Sequence, residues 1–161
     1  MTITLTSPQT YTVLLQNMSY QLLGQDGSQQ KFSAPASTPN IPKLYVFYDQ
    51  HCLHYVGITT QRVSVRLLSG LKAKGAHGYH GYKWKGESKL TLSIWTLDGC
   101  GDEKISHILE TVEAEIVFLY RSKSGKWPQS QHEIHFHNRN DDICKELAQN
   151  IFEHIQSKIS G

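Results

Sequence analysis

KLYVFYDQHCLHYVG, residues 43–57, is the stretch on which the reading of this chain turns: two short apolar and aromatic runs flank a polar turn. Strand side chains alternate with a period of two, so Leu44, Val46 and Tyr48 fall on one face of the first run. Tyr45, Phe47 and Asp49 fall on the other. The second run, Leu53 to Ile58, contains Gly57, and a turn over Asp49 to Cys52 makes the pair an antiparallel β-hairpin. Tyr45 and Tyr55 then lie near each other on adjacent strands.

Working outward, Thr59 to Leu71 reads as a helix, with Thr59 or Thr60 as cap and Val63, Leu67, Leu68 and Leu71 as its apolar stripe. Arg62 and Arg66 are four residues apart and share a face of it. Leu90 to Leu97 alternates as a third strand, with Leu90, Leu92, Ile94 and Thr96 on one side. Asp102 to Lys123 reads as an amphipathic helix through Ile105, Ile108, Leu109, Val112, Ile116, Leu119 and Tyr120. Glu110, Glu113 and Val117 form a neighbouring strip. Gly125 and Pro128 end that helix; HEIHFHNRN follows as an extended piece, and Asp141 to Lys158 reads as a last helix. Before the hairpin, Tyr11, Leu14, Leu15, Met18 and Leu22 recur at helical spacing. That spacing favours a short helix over Thr10 to Leu23, although TYTVLL also suits a strand. Gly24 to Pro42 has linker composition, with Pro35, Pro39 and Pro42. The expectation is an α+β chain with a three-stranded antiparallel sheet flanked by helices. Its organisation is an N-terminal extension over 1–42, a core over 43–138 and a C-terminal helix over 139–161.

Composition bounds the function. The chain has 161 residues, enough for one domain with a real core, and 39% hydrophobic residues spread along its length. No stretch suits a bilayer crossing and the polar start lacks a secretory leader, so cytoplasmic residence is expected and no membrane partner. The three cysteines, Cys52, Cys100 and Cys144, are widely spaced and odd in number, which argues against a disulfide framework. Net charge is only +2, yet Lys72, Lys74, Lys83, Lys85 and Lys89 crowd one segment against the single acid Glu87. Interleaved with Tyr79, Tyr82 and Trp84, this segment suits a phosphate backbone and stacked bases, with Lys72, Lys74, Tyr79, Lys83, Trp84 and Lys85 as the contacts. His77 and His80 lie in the glycine-rich part of the same segment, placed to relay a proton or touch a phosphate. His132, His135 and His137 offer a separate group for a transition metal.

The order of elements and several residues resemble the GIY-YIG nuclease family from Lys43 to Asn138. The tripeptides Lys43-Leu44-Tyr45 and Tyr55-Val56-Gly57 stand for the two that give the family its name, with Lys43 in place of the first glycine. The resemblance further implies an arginine on the following helix, Arg66 with Arg62 in reserve, and a glutamate on a later helix, Glu113, as the metal ligand. It also implies an asparagine, Asn138, in the stretch opened by Pro128. Ile58 stands where many relatives have lysine, and Lys43, His77 or His80 are the residues available to compensate. The implied activity is a Mg²⁺- or Mn²⁺-dependent endonuclease acting on DNA, with duplex cutting of the restriction type favoured and a homodimer as the natural way to cut both strands. Chemically the set is coherent: one carboxylate anchors a hard dication, Arg66 clamps a phosphate oxygen, and Tyr45 serves as base with Tyr55 beside it. The alternatives are a non-catalytic nucleic-acid-binding module of the same fold, a repair or mobile-element nicking enzyme, or a histidine-dependent metal-binding protein.

Overall fold

The computed structural model describes residues 2–73, 81–134 and 142–159. The hairpin is present where the alternation places it: β5 (Lys43–Tyr48) and β6 (Leu53–Thr59) pair antiparallel across the Asp49–Cys52 turn. The Asp49 carboxylate shapes that turn, its Oδ1 accepting the backbone N–H groups of His51 at 2.7 Å and Cys52 at 2.8 Å. Every residue of β5 is buried, because both faces of this strand are covered. Leu44, Val46 and Tyr48 enter one core and Tyr45 and Phe47 the other.

The architecture is α+β, and the sheet is larger than the three strands expected. It has six strands in the order β4-β3-β2-β7-β5-β6, built by β2 (Gln9–Gln16), β3 (Ser19–Leu23), β4 (Gln29–Gln30) and β7 (Lys89–Trp95) in addition to the hairpin. The helix expected over Thr10 to Leu23 is therefore a second hairpin. Its residues obey the period of two as well as the helical one: Tyr11, Val13 and Leu15 are buried on one face. The turn residues Asn17 and Met18 both take positive φ, at 51° and 60°, the geometry of the tight turn that matches strand twist. Met18, counted in the helical stripe, is 63% exposed at that tip. A short separate pair joins β1 (Thr4–Leu5) to β8 (Leu97–Asp98). The proline-rich stretch is not all surface chain: Ala36 is fully buried and its carbonyl accepts the N–H of Val63 at 2.9 Å.

One face of the sheet carries α2 (Asp102–Ser124) and α3 (Asp142–Lys158), which pack on each other through Ile108, Val112, Ile116, Leu147, Ile151 and Phe152. The other carries α1 (Val63–Lys72) and a 3₁₀ turn at Gly81–Gly86. α1 starts later than expected. Arg62 occupies its N-cap without a side-chain cap bond, and the Thr59 hydroxyl accepts the Gln61 N–H instead. Arg62 is consequently exposed at the helix N-cap, its carbonyl accepting the Arg66 N–H at 3.1 Å. Leu68, assigned to the apolar stripe, is 42% exposed; Gly70 faces the core in its place, because a Cβ there would collide with the Trp84 ring.

After α2 the chain turns at Gly125, φ 72°, and runs along the free edge of β6. Gln129 N–H donates to Leu53 O and Ser130 N–H to His54 O, both at 2.9 Å. Gln131 completes the cover with its side chain, Oε1 accepting Val56 N–H at 2.9 Å and Nε2 donating to Val56 O at 2.8 Å. An edge strand that would otherwise present bare backbone is thereby satisfied.

Candidate active site

Tyr45 lies directly opposite Gly57 and Phe47 opposite Tyr55, so the two tyrosines are diagonal neighbours on one face. Their rings sit 6.0 Å apart, tilted by 35°. Gly57 makes the arrangement possible: a Cβ there would fall 2.6 Å from Cζ and Oη of Tyr45 and 2.7 Å from Cε1 of Tyr55. The tyrosine ring crosses the glycine, which is the physical reason a Tyr-x-Gly tripeptide opposite a tyrosine is more than a strand pattern.

Arg66 borders the buried stripe of α1, between Val63 and Leu67, and its Nε donates to Tyr45 Oη at 3.2 Å. Glu113 borders the buried stripe of α2, four residues after Leu109 and four before Val117, both of which are buried. Crowding by protein, with like charge from Glu110, pushes the Glu113 carboxyl up to about 7, and the Arg66 guanidinium pulls it partly back. Arg66 from one side of the sheet and Glu113 from the other are thus in electrostatic reach of each other. Glu110, Glu113, Gln131 and Glu133 line a small cavity of about 60 Å³ between α2 and the segment that covers β6. Oxygen donors and a carboxyl pair in mutual repulsion are the donor set that a hard dication relieves, so these residues fit Mg²⁺ or Mn²⁺.

The structure therefore brings Tyr45, Tyr55 and Arg66 together, with Glu113 in electrostatic reach of Arg66. Lys43, two residues before Tyr45 on β5, is fully buried, its Nζ donating to Ile41 O at 2.6 Å and Gln61 O at 2.9 Å. Burial lowers it to about 8. Its ammonium clamps the chain that leads into α1, so its visible role is to hold the helix bearing Arg66. Asn138, His77 and His80 lie outside the described residues, as do Lys74, Tyr79, His135 and His137.

The lysine-rich surface needs correction. Trp84 is 1% exposed and stacks on Phe47 at 4.6 Å, so it is core and not a platform for a base. Lys85 donates to Leu71 O at 3.3 Å and Ala73 O at 2.7 Å, capping the end of α1. Lys72 and Lys83 are exposed. His132 is exposed as well.

A cluster not singled out from the sequence lies in the hairpin turn, where Asp49, Cys52 and His54 converge. Its signal was the spacing D-x-x-C-x-H, which has meaning only once the turn folds those side chains to one side. Burial, with Asp49 and Glu87 alongside, pushes the Cys52 thiol up to about 11 in the absence of a metal ion. None of the three cysteines is in a disulfide, and no helix among the described residues is long and apolar enough to cross a membrane. No family model, no curated protein and no solved structure matches the chain.

Proposed function

We propose that the chain is a metal-dependent endonuclease of the GIY-YIG type that hydrolyses DNA phosphodiester bonds, with duplex DNA as the substrate. The observation that carries this reading is the Arg66 guanidinium bonded to Tyr45 Oη above Gly57, with Tyr55 alongside and Glu113 within electrostatic reach. A core needs none of this polarity, whereas a phosphodiester needs a cationic clamp, a base and a carboxylate in one place.

Glu113, with Glu110 and Glu133 nearby, would hold Mg²⁺ or Mn²⁺. When bound, such an ion polarises the phosphoryl oxygen and stabilises the leaving oxygen. Arg66 fixes the Tyr45 hydroxyl and would stabilise charge on its oxygen while offering its remaining N–H groups to phosphate. Once its own proton has left to solvent, a loss the Arg66 guanidinium favours, the Tyr45 phenolate would take the proton of the attacking water, and Tyr55 would hydrogen-bond the phosphate. Single-turnover cleavage of a labelled duplex with Mg²⁺ tests these roles. Tyr45→Phe and Arg66→Ala are each expected to slow cleavage by about 10²- to 10⁴-fold, Tyr55→Phe by less. A larger loss with Tyr55→Phe would exchange the two tyrosines, and unchanged rates in all three would remove the assignment.

One observation favours a second reading, a nucleic-acid-binding module without turnover: Lys43 replaces the family's glycine and is consumed by two backbone carbonyls. Salt-sensitive DNA binding, indifferent to divalent metal and leaving the DNA intact, is its signature.

A further inference from the structure

At the end of the hairpin remote from Gly57, about 13 Å along β5 from Tyr45 at ~3.3 Å per strand residue, three unlike donors meet. Asp49 Oδ2 is 2.7 Å from His54 Nε2, and Cys52 Sγ is 3.6 Å from the same nitrogen. One ligand atom from each residue lies within 4.8 Å of the others. Ligands at ~2.3 Å (sulfur) and ~2.0–2.1 Å (nitrogen) from a tetrahedral zinc ion are about 3.6 Å apart, which is the separation found for the Cys52–His54 pair. The Asp49–His54 pair is closer, at 2.7 Å, as befits two groups sharing a proton, and opens by roughly 0.7 Å when an ion takes the proton's place. The second carboxylate oxygen of Asp49 is committed to the backbone of the turn, so Oδ2 is the one presented.

A second observation points the same way. His54 is 2% exposed, and its other ring nitrogen, Nδ1, is buried without a hydrogen-bond partner among the described residues, with Glu87 Oε1 at 4.0 Å. With the proton on Nε2, facing Asp49, Nδ1 is an orphaned lone pair pointed towards a carboxylate, an arrangement that costs free energy. An ion on Nε2 reverses this. Nδ1 must then carry the proton, and Glu87 becomes its acceptor, the carboxylate–histidine–metal relay that commonly orients a ligating imidazole. Glu87 comes from the segment before β7, so the relay would also tie that segment to the hairpin.

We propose that Asp49, Cys52 and His54 form a zinc site with Glu87 as the orienting carboxylate and the fourth position open to solvent. The donors suit this ion: a sulfur, an imidazole and one carboxylate match borderline-soft Zn²⁺, not the all-oxygen shell of Mg²⁺. The site stands apart from Glu113 and does not depend on the nuclease reading.

The test uses the full chain, stripped with chelator and kept reduced. Zn²⁺ is titrated in competition with a chromophoric chelator, and Co²⁺ is added as an optical stand-in. One equivalent of Zn²⁺ per chain and a thiolate-to-cobalt charge-transfer band are expected. The band disappears in Cys52→Ser and persists in Cys100→Ser. Glu87→Gln keeps the band but weakens Zn²⁺ affinity by about 10- to 100-fold, which a merely structural role for Glu87 would not do. His54→Gln abolishes binding, and because its burial puts folding at risk, the part-buried Cys52 provides the decisive variant. Absence of the band, absence of Zn²⁺ binding, or equal Zn²⁺ affinity in Cys52→Ser would overturn the proposal; the last would place the ion on other residues such as His132.

Discussion

Glu113 reports directly on its surroundings, because its carboxyl is lifted from 4.5 to about 7 in the folded chain. The folded state then binds a proton more tightly than the unfolded one, so this group's contribution falls as pH rises from about 4.5 to 7 and is flat above. Glu113→Gln is expected to be more stable than wild type at neutral pH by about 1 to 2 kcal/mol, allowing for the solvent access that Glu113 keeps, with the difference vanishing below about pH 4.5. Urea unfolding of both proteins across that range checks it; a difference independent of pH would show that the carboxyl is not strained. Gly57→Ala is the second case at this scale. Its Cβ has no room beside Tyr45 and Tyr55, so overpacking should cost about 1 to 3 kcal/mol and separate Arg66 from Tyr45. Tyr45, Tyr55, Arg66 and Glu113 were legible as a set only through the GIY-YIG resemblance, since each alone reads as an ordinary strand or helix residue. The Asp49, Cys52 and His54 cluster was not, because nothing in a one-dimensional spacing tells which way a turn folds its side chains.

Among the elements, the β5–β6 hairpin, β7, α2 and α3 follow the periodicity of their residues to within a residue or two at most ends. The misreadings have local physical causes. Tyr11, Leu14, Leu15, Met18 and Leu22 satisfy a helical period while Tyr11, Val13 and Leu15 satisfy a strand period, and pairing of β2 with β7 on one side and β3 on the other decides between them. Trp84 belongs to a segment whose lysines suggest a nucleic-acid surface, yet its ring fills the gap left by Gly70 against Phe47. Trp84→Ala should therefore destabilise the fold by about 3 to 5 kcal/mol in thermal or urea unfolding, while Leu68→Ala, on the exposed side of α1, costs well under half as much. Gln131→Ala removes two hydrogen bonds from the β6 edge and should cost about 1 to 3 kcal/mol; an unaltered midpoint would mean that the covering segment stays in place without its side-chain clasp.

For the whole molecule, the six-stranded sheet separates two cores, with α1 on one side and α2 and α3 on the other. β6 lies at one end of the sheet, and its edge is the place where side chains from both layers can meet. Arg66 from one layer and Glu113 from the other lie within electrostatic reach of each other. The α+β class was legible in the alternation of strand and helix periods; the extent of the sheet was not, because its outer half is made by residues whose pattern fits either period. The central claim is that this meeting of layers cuts DNA. Supercoiled plasmid incubated with the full chain and Mg²⁺ or Mn²⁺ tests it, with Glu113→Gln as the comparison because that variant is expected to fold at least as well as wild type. The account predicts nicked and linear products with wild type, none with Glu113→Gln, and none once the metal is chelated. Intact plasmid with wild type, or equal cleavage by Glu113→Gln, would contradict it.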